Sequence, residues 1–152
     1  MKPYRLYVLD LDGTLYRGDQ VIPNAAETVR ELRSRGAMIR FLTNNSGQTR
    51  DFYVEKLCRM GFEAQPLEVY SSAMGATRWL KENGVQRVFY VGEPGLRATL
   101  AESVDVVNDS GEQAEAVVAG ICRSLTYEWL NAAMQQILGG ARFVATNTDA
   151  TY

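Results

Sequence analysis

Tyr4-Arg5-Leu6-Tyr7-Val8-Leu9-Asp10-Leu11-Asp12-Gly13-Thr14 and, further along, Met38-Ile39-Arg40-Phe41-Leu42-Thr43-Asn44-Asn45-Ser46 are the stretches on which the fold turns. In each, a β-rich apolar run passes directly into polar, turn-forming residues. One helix signal lies between them. Pro23 precedes Asn24 as an N-cap, Glu27 follows three residues on as in a capping box, Val29 and Leu32 face inward, and Gly36 stops the run. Strand, helix and strand in this order predict two parallel strands joined by a right-handed crossover. Ligands of parallel α/β sheets lie beyond the C-terminal ends of the strands, so the two polar clusters should share one end of the sheet.

The alternation continues. Residues 49–60 read as a helix with Tyr53, Leu57 and Met60 at helical spacing, Val69-Tyr70 as a short strand, and the next helix, capped by Ser71 or Ser72, carries Trp79 and Leu80 to an Asn83-Gly84 stop. A second block restarts near Gln86 with strands at Val88–Val91, Val104–Val107, Ala116–Ile121 and Phe143–Ala145, helices at Gly95–Glu102 and Thr126–Leu138, and a polar loop at Asn108–Gln113. The fold class expected is α/β. A Rossmann-like parallel sheet core spans 1–84, a smaller α/β domain 85–147, and the chain returns to the core at 148–152.

Composition narrows the function. The chain has 152 residues, 46% hydrophobic and 22% charged, which excludes a disordered or low-complexity protein. A net charge of -2 leaves no basic excess for a nucleic-acid backbone. With no histidine, Ser-His-Asp and Cys-His nucleophiles and imidazole zinc ligands are excluded, so carboxylates, hydroxyls and amides must carry any catalysis. Two cysteines, Cys58 and Cys122, are too few for a disulfide framework and fit a reducing cytosol. The apolar start is interrupted by Asp10 and lacks a cleavage site, and no apolar run reaches the roughly 20 residues of a membrane span. The expected location is cytoplasmic, with neither membrane nor nucleic acid as partner.

Asp10 and Asp12 stand two apart, so in extended geometry both carboxylates point to one side and repel each other unless a cation intervenes. Such a pair suits a hard cation such as magnesium, which takes oxygen ligands and keeps waters. Gly13 permits a sharp turn, and N–H groups after it could face an anion. Thr43, Asn44 and Asn45 add neutral donors just before a helix N-terminus, a suitable place for phosphate oxygens. Taken singly, Asp12-Gly13 is also a plain turn and Asn44-Asn45-Ser46 a plain cap; together, at the ends of successive strands, they are far more specific.

With its first motif at Asp10-Leu11-Asp12-Gly13-Thr14-Leu15-Tyr16 and its second at Leu42-Thr43-Asn44-Asn45-Ser46, the chain resembles the haloacid dehalogenase superfamily. Leu15-Tyr16-Arg17-Gly18, Val91-Gly92-Glu93-Pro94-Gly95-Leu96 and Ala145-Thr146-Asn147-Thr148-Asp149 are similar to its para-nitrophenyl phosphatase-like branch, which carries a C2-type cap. The resemblance implies a magnesium-dependent phosphatase of small phosphorylated metabolites. Asp10 would attack phosphorus to form an aspartyl phosphate, and Asp12 would protonate the leaving oxygen and then activate water. Gly13, Thr43, Asn44 and Asn45 would bind substrate, with Asn147 and Asp149 reaching the site where the chain returns to the core. Mg2+ would be held by Asp10, by the Asp12 carbonyl and by a later carboxylate.

Members of the superfamily continue past the cap to a lysine and an acidic pair. Here lysines stand only at 2, 56 and 81, and Asp149 is the sole acidic residue after Glu128. Lys56 and Lys81 read as exposed helix charges. The chain thus reads as a fragment or truncated product holding the N-terminal core half and cap, weakly active or inactive alone. Its first strand becomes an exposed edge, and homo-oligomers would form through that edge or the cap. Cys122 replaces an acidic residue common in the branch, which leaves the physiological substrate open. Trp79, Trp129 and the tyrosines read as packing residues. The alternatives are a non-catalytic α/β module that binds a phosphorylated ligand or partner chain, and a phosphoryl-transferring mutase.

Overall fold

The N-terminal strand forms over Leu6–Asp10 (β1), and a short antiparallel hairpin follows, Tyr16–Arg17 (β2) with Gln20–Val21 (β3). Next come a helix at Ala25–Ser34 (α1), a strand at Met38–Thr43 (β4), a helix at Arg50–Arg59 (α2), a 3-10 turn at Pro66–Glu68 and a strand at Val69–Ser71 (β5). Then follow Ser72–Glu82 (α3), Arg87–Val91 (β6), Pro94–Ala101 (α4), Asp105–Val107 (β7), Ala116–Ala119 (β8), Tyr127–Leu138 (α5) and Arg142–Ala145 (β9). The computed structural model describes residues 4–107 and 111–149; the first part of the expected 108–113 loop lies outside them. Among the described residues no helix is long and apolar enough to cross a membrane.

Two compact units result, residues 1–43 with 50–70, and residues 44–49 with 71–152. The expected α/β class with parallel sheets is borne out. Asn83-Gly84 ends α3 as expected, with Gly84 at φ +68°. What places α3 is its apolar face: Ala73, Ala76 and Leu80 are buried in one cluster with Leu96, Leu100 and Val118.

In the first unit β1, β4 and β5 form a sheet in that order, β1 parallel to β4 from Leu6↔Met38 to Asp10↔Leu42. Residues alternate between its faces. Ile39, Phe41 and Val69 are buried with Val29 of α1 and Tyr53 and Leu57 of α2, whereas Leu6, Val8, Met38, Leu42 and Tyr70 are exposed. β1 and β5 are the edge strands, with β4 between them.

Two local expectations need correcting. Asn24 does not cap α1 with its side chain; it is left-handed, φ 64°, and its carbonyl accepts from the Thr28 N–H and hydroxyl at 2.9 and 2.8 Å. Asparagine tolerates that conformation, so the entry turn is closed by backbone instead. Lys56 is not an exposed charge. It lies 4.3 Å from the centre of the Tyr16 ring and 3.8 Å from Asp19, so its stem covers the hairpin.

In the second unit the parallel sheet runs β7-β6-β8-β9. Leu80, Leu96 and Leu100 pack on one face. On the other, Phe89 and Val117 meet Ala133, and Trp129 stands edge-on to Tyr90 at 5.3 Å while donating its indole N–H to the Tyr90 carbonyl at 2.9 Å.

Arg33 on α1 anchors the approach to β5. Its guanidinium donates to both Glu68 carboxylate oxygens at 2.8 and 2.7 Å and to the Glu63 carbonyl at 2.7 Å. The hydrogen bond from Arg33 to Glu68 raises the arginine's pKa. Burial acts to raise that of Glu68, but the bonds from Arg33 and the Gln65 N–H, with the charges of Arg33 and Arg40, outweigh it and leave the carboxyl below its ordinary value. A carboxyl depressed on folding contributes stability above its unfolded pKa and loses it as pH falls through the folded one. Glu68→Ala is expected to lower stability of the first unit by about 2 kcal/mol at neutral pH, the scale for opening a partly buried charge-assisted pair. Denaturant titrations from neutral pH to below the ordinary Glu pKa should show the gap between wild type and Glu68→Gln closing toward acid.

Candidate functional site

The C-terminal end of the β1–β4 pair carries Asp10, Asp12 and Thr43. Asp10 is the last residue of β1, opposite Leu42, and Thr43 ends β4 one residue later. By alternation Asp10 belongs with Val8 on the bare face, and it is exposed; Thr43 follows Ile39 and Phe41 on the covered face and is buried. The structure thus brings Asp10, Asp12, Gly13 and Thr43 to one end of the sheet, without setting the Asp10 and Thr43 side chains on one face.

The turn after β1 is built by backbone. Gly13 has φ +82°, where a side chain is strained, and donates to the Tyr16 carbonyl at 2.7 Å. Thr14, Leu15 and Tyr16 donate to the Leu11 carbonyl at 3.3, 2.9 and 3.3 Å. The N–H groups of residues 13–16 therefore close the loop and do not stand open to an anion, so Gly13 contributes conformation. Asp12 makes a single bridge to Tyr16, and the buried Leu11, Leu15 and Tyr16 anchor the turn in the core. The carboxylates of Asp10 and Asp12 stay exposed.

Asn44, Asn45 and Asn147 lie in the other unit. The Asn44 amide donates to Asp149 at 3.1 Å, and its carbonyl accepts from the Ser72 hydroxyl at 2.6 Å. Asn45 accepts from the Gly47 N–H at 2.7 Å, and Asn147 accepts from the Asp149 N–H at 3.0 Å. The Thr146 hydroxyl donates to the buried Ser46 hydroxyl at 3.0 Å. These contacts fix residues 44–49 against the end of β9. Sequence reasoning picked out Asn147 and Asp149 but not Thr146, although all three stand in the same quoted motif.

Two glycines admit this loop. A Cβ on Gly95, at the start of α4, would fall 2.4 Å from both the Gln48 Cα and the Gly47 carbonyl oxygen, and one on Gly120, just past β8, 2.3 Å from the Ser46 hydroxyl. Glu93 closes the same strand ends: its N–H donates to the Ile121 carbonyl at 2.9 Å, and its carboxylate accepts from the Arg123 N–H at 2.7 Å.

For magnesium, the donor chemistry fits: an exposed carboxylate at Asp10 and the carbonyl of Asp12 are hard oxygen ligands on one loop. Among the described residues no group of three His, Cys, Asp or Glu side chains gathers to complete a metal shell.

A parallel α/β unit with paired aspartates at the end of its first strand defines a class, and sequence comparison identifies it. Residues 7–104 match the family model of haloacid dehalogenase-like hydrolases, and the chain belongs to that family. It is 37% identical over 150 residues to the 5'-nucleotidase YutF of Bacillus subtilis, covering 98% of this chain and 58% of that protein. Among solved structures it is similar to a p-nitrophenyl phosphatase from Archaeoglobus fulgidus, with TM-score 0.90, 31% identity and coverage of 97% of this chain and 57% of that one. It is equally similar to a glycerol phosphate phosphatase from Mycobacterium tuberculosis in complex with magnesium, with TM-score 0.90, 30% identity and coverage of 99% and 46%. The resemblance to the para-nitrophenyl phosphatase-like branch is borne out, and the chain spans 58% of the length of the curated relative.

Gly95→Ala is expected to cost about 1–3 kcal/mol, the scale of overpacking, because the obstacle is backbone. Gly75→Ala on α3, where a Cβ meets nothing within 4 Å, should be neutral or stabilising. Thermal denaturation measures both. Amide exchange of residues 44–49 should rise only in the Gly95 variant.

Proposed function

We propose that this chain carries the nucleophile-bearing part of a phosphatase acting on small phosphate monoesters. The observation that carries the reading is the parallel register of β1 and β4, which sets Asp10, Asp12 and Thr43 at one sheet end. Asp10 is the nucleophile: its carboxylate attacks phosphorus, the ester oxygen leaves, and an aspartyl phosphate forms on Asp10. Asp12 gives the leaving oxygen its proton and takes one from the water that later attacks the phosphoryl group, so hydrolysis is divided into two easier steps. Thr43, with Asn44 and Asn45 following it in the chain, positions the phosphoryl oxygens, and Asn147 holds the neighbouring turn.

The Asp10 carboxylate and the Asp12 carbonyl would hold Mg2+, which supplies neutralisation of the phosphoryl charge. The relatives' greater length supports the view that a lysine and further carboxylates complete the site from outside this stretch. In this reading residues 85–147 act as the cap that screens substrates, and the protein works in the cytoplasm.

Purified chain and its Asp10→Asn variant should be compared for para-nitrophenyl phosphate turnover, with magnesium and with chelator. Each missing electrostatic contact should lower the rate about 10²–10³-fold against a full-length relative, and what remains should need magnesium and vanish in Asp10→Asn. Equal magnesium-dependent turnover in both proteins would remove Asp10 from its role. A rate matching the full-length relative would show that no further groups are needed. Phosphate binding without any turnover would favour a non-catalytic binding module.

A further inference from the structure

Lys56 is a largely buried cation to which the proposed chemistry gives no part. It stands on α2 with its side chain 17% exposed, three residues after Tyr53 and one before Leu57, both buried in the core of the first unit. Taking a charge out of water is costly unless a partner compensates. Its own helix provides none: the positions three and four residues away hold Phe52, Tyr53, Arg59 and Met60, so no carboxylate stands at helical pairing distance. What the ammonium meets lies on the β2–β3 hairpin instead. It sits 4.3 Å from the centre of the Tyr16 ring and 3.8 Å from the carboxylate of Asp19. The Asp19 side chain is fully exposed, so that ion pair is weak. The ring belongs to a residue only 3% exposed, and its face is the contact shielded from water.

The hairpin needs such a brace. It consists of two residue pairs, Tyr16↔Val21 and Arg17↔Gln20, and a two-stranded ribbon is marginal on its own. Lys56 holds it at two places, the ring in β2 and the carboxylate in the connection to β3. Tyr16 is also the residue that closes the aspartate turn. Its carbonyl accepts from the Gly13 N–H at 2.7 Å, its N–H donates to the Leu11 carbonyl at 3.3 Å, and it makes the bridge to Asp12. A cation that holds this ring therefore holds the backbone that sets Asp12 relative to Asp10. We propose that Lys56 is a positioning residue for the hydrolysis, fixing the turn from Asp10 to Asp12 through Tyr16; the role rests on the phosphatase reading for its chemistry, though not for its geometry. A neutral side chain of similar length would fill the same space, but neither the negative face of the ring nor Asp19 would attract it.

The test compares the 152-residue chain with Lys56→Met, which keeps the stem, with Lys56→Arg, which keeps the cation, and with Lys81→Met, an exposed lysine of α3, as control. Amide exchange of residues 13–16 should rise about 3- to 30-fold in Lys56→Met, the range that a cation–π contact supports. Exchange along β4 and the thermal transition should stay as in the wild type. Lys56→Arg should return residues 13–16 to wild-type exchange, and Lys81→Met should leave them unchanged. In magnesium-dependent turnover of para-nitrophenyl phosphate, Lys56→Met should lower kcat about 10- to 100-fold with KM unchanged, because small misplacements of a reacting group are costly, and Lys56→Arg should recover the rate. The proposal fails if exchange at 13–16 does not change in Lys56→Met, or if Lys56→Arg does not restore it. It fails equally if exchange rises as much along β4 with a lower thermal transition, which would make Lys56 ordinary packing, or if Lys56→Met changes KM alone. Absence of turnover in the wild type as well would count against the phosphatase reading, and exchange at 13–16 would then decide whether Lys56 sets the turn.

Discussion

Because β1 and β4 run parallel with Asp10 opposite Leu42, the segments that leave them must emerge at the same sheet end. An antiparallel pair would send Asp12-Gly13 and Thr43-Asn44 to opposite ends, and no shared chemistry could follow. The parallel choice is enforced by α1, which needs a full crossover to return the chain and buries Val29 against Ile39 and Phe41 while doing so. The Arg33–Glu68 pair then fixes α1 to the approach of β5. The position of Asp10 is therefore set by packing some distance from it.

The same sheet shows where cohesion stops. Parallel sheets are ordinarily covered on both faces. Here one face lies under α1 and α2, and the other leaves Leu6, Val8, Met38, Leu42 and Tyr70 exposed, with β1 an open edge. Asp10 belongs to that bare face, so whatever covers it also determines the surroundings of the carboxylate.

Legibility from sequence follows the range of the interaction. Strands and helices with clear periodicity fall within a few residues of their expected limits, as at Met38–Thr43 and Tyr127–Leu138, where Thr126 accepts from the Trp129 N–H at 3.2 Å as an N-cap. The β2–β3 hairpin was not foreseen, because two-residue strands carry no period. Asn24 followed cap statistics but adopted a left-handed turn. Of the site, Asp10, Asp12 and Thr43 could be placed because each sits at a strand end. The bonds Ser46–Thr146 and Asn44–Asp149 span 100 and 105 residues, and nothing local announces them.

Those long-range bonds give the loop after β4 a double allegiance. Thr43 closes a strand of one unit, and Asn44, one peptide bond later, is held by Ser72 and Asp149 of the other. Through Ser46, Gly47 and Gln48 the loop rests on Gly120 and Gly95, where even a methyl group would collide. A peptide bond is stiff, with only two soft dihedrals per residue, so displacement of residues 44–49 must be absorbed within very few torsions before it reaches Thr43. Close packing of the second unit at these two glycines is thus coupled, by covalent continuity alone, to the geometry of the residue that would hold the phosphoryl group. Loop residues that touch no substrate can then be as restricted in size as those that do.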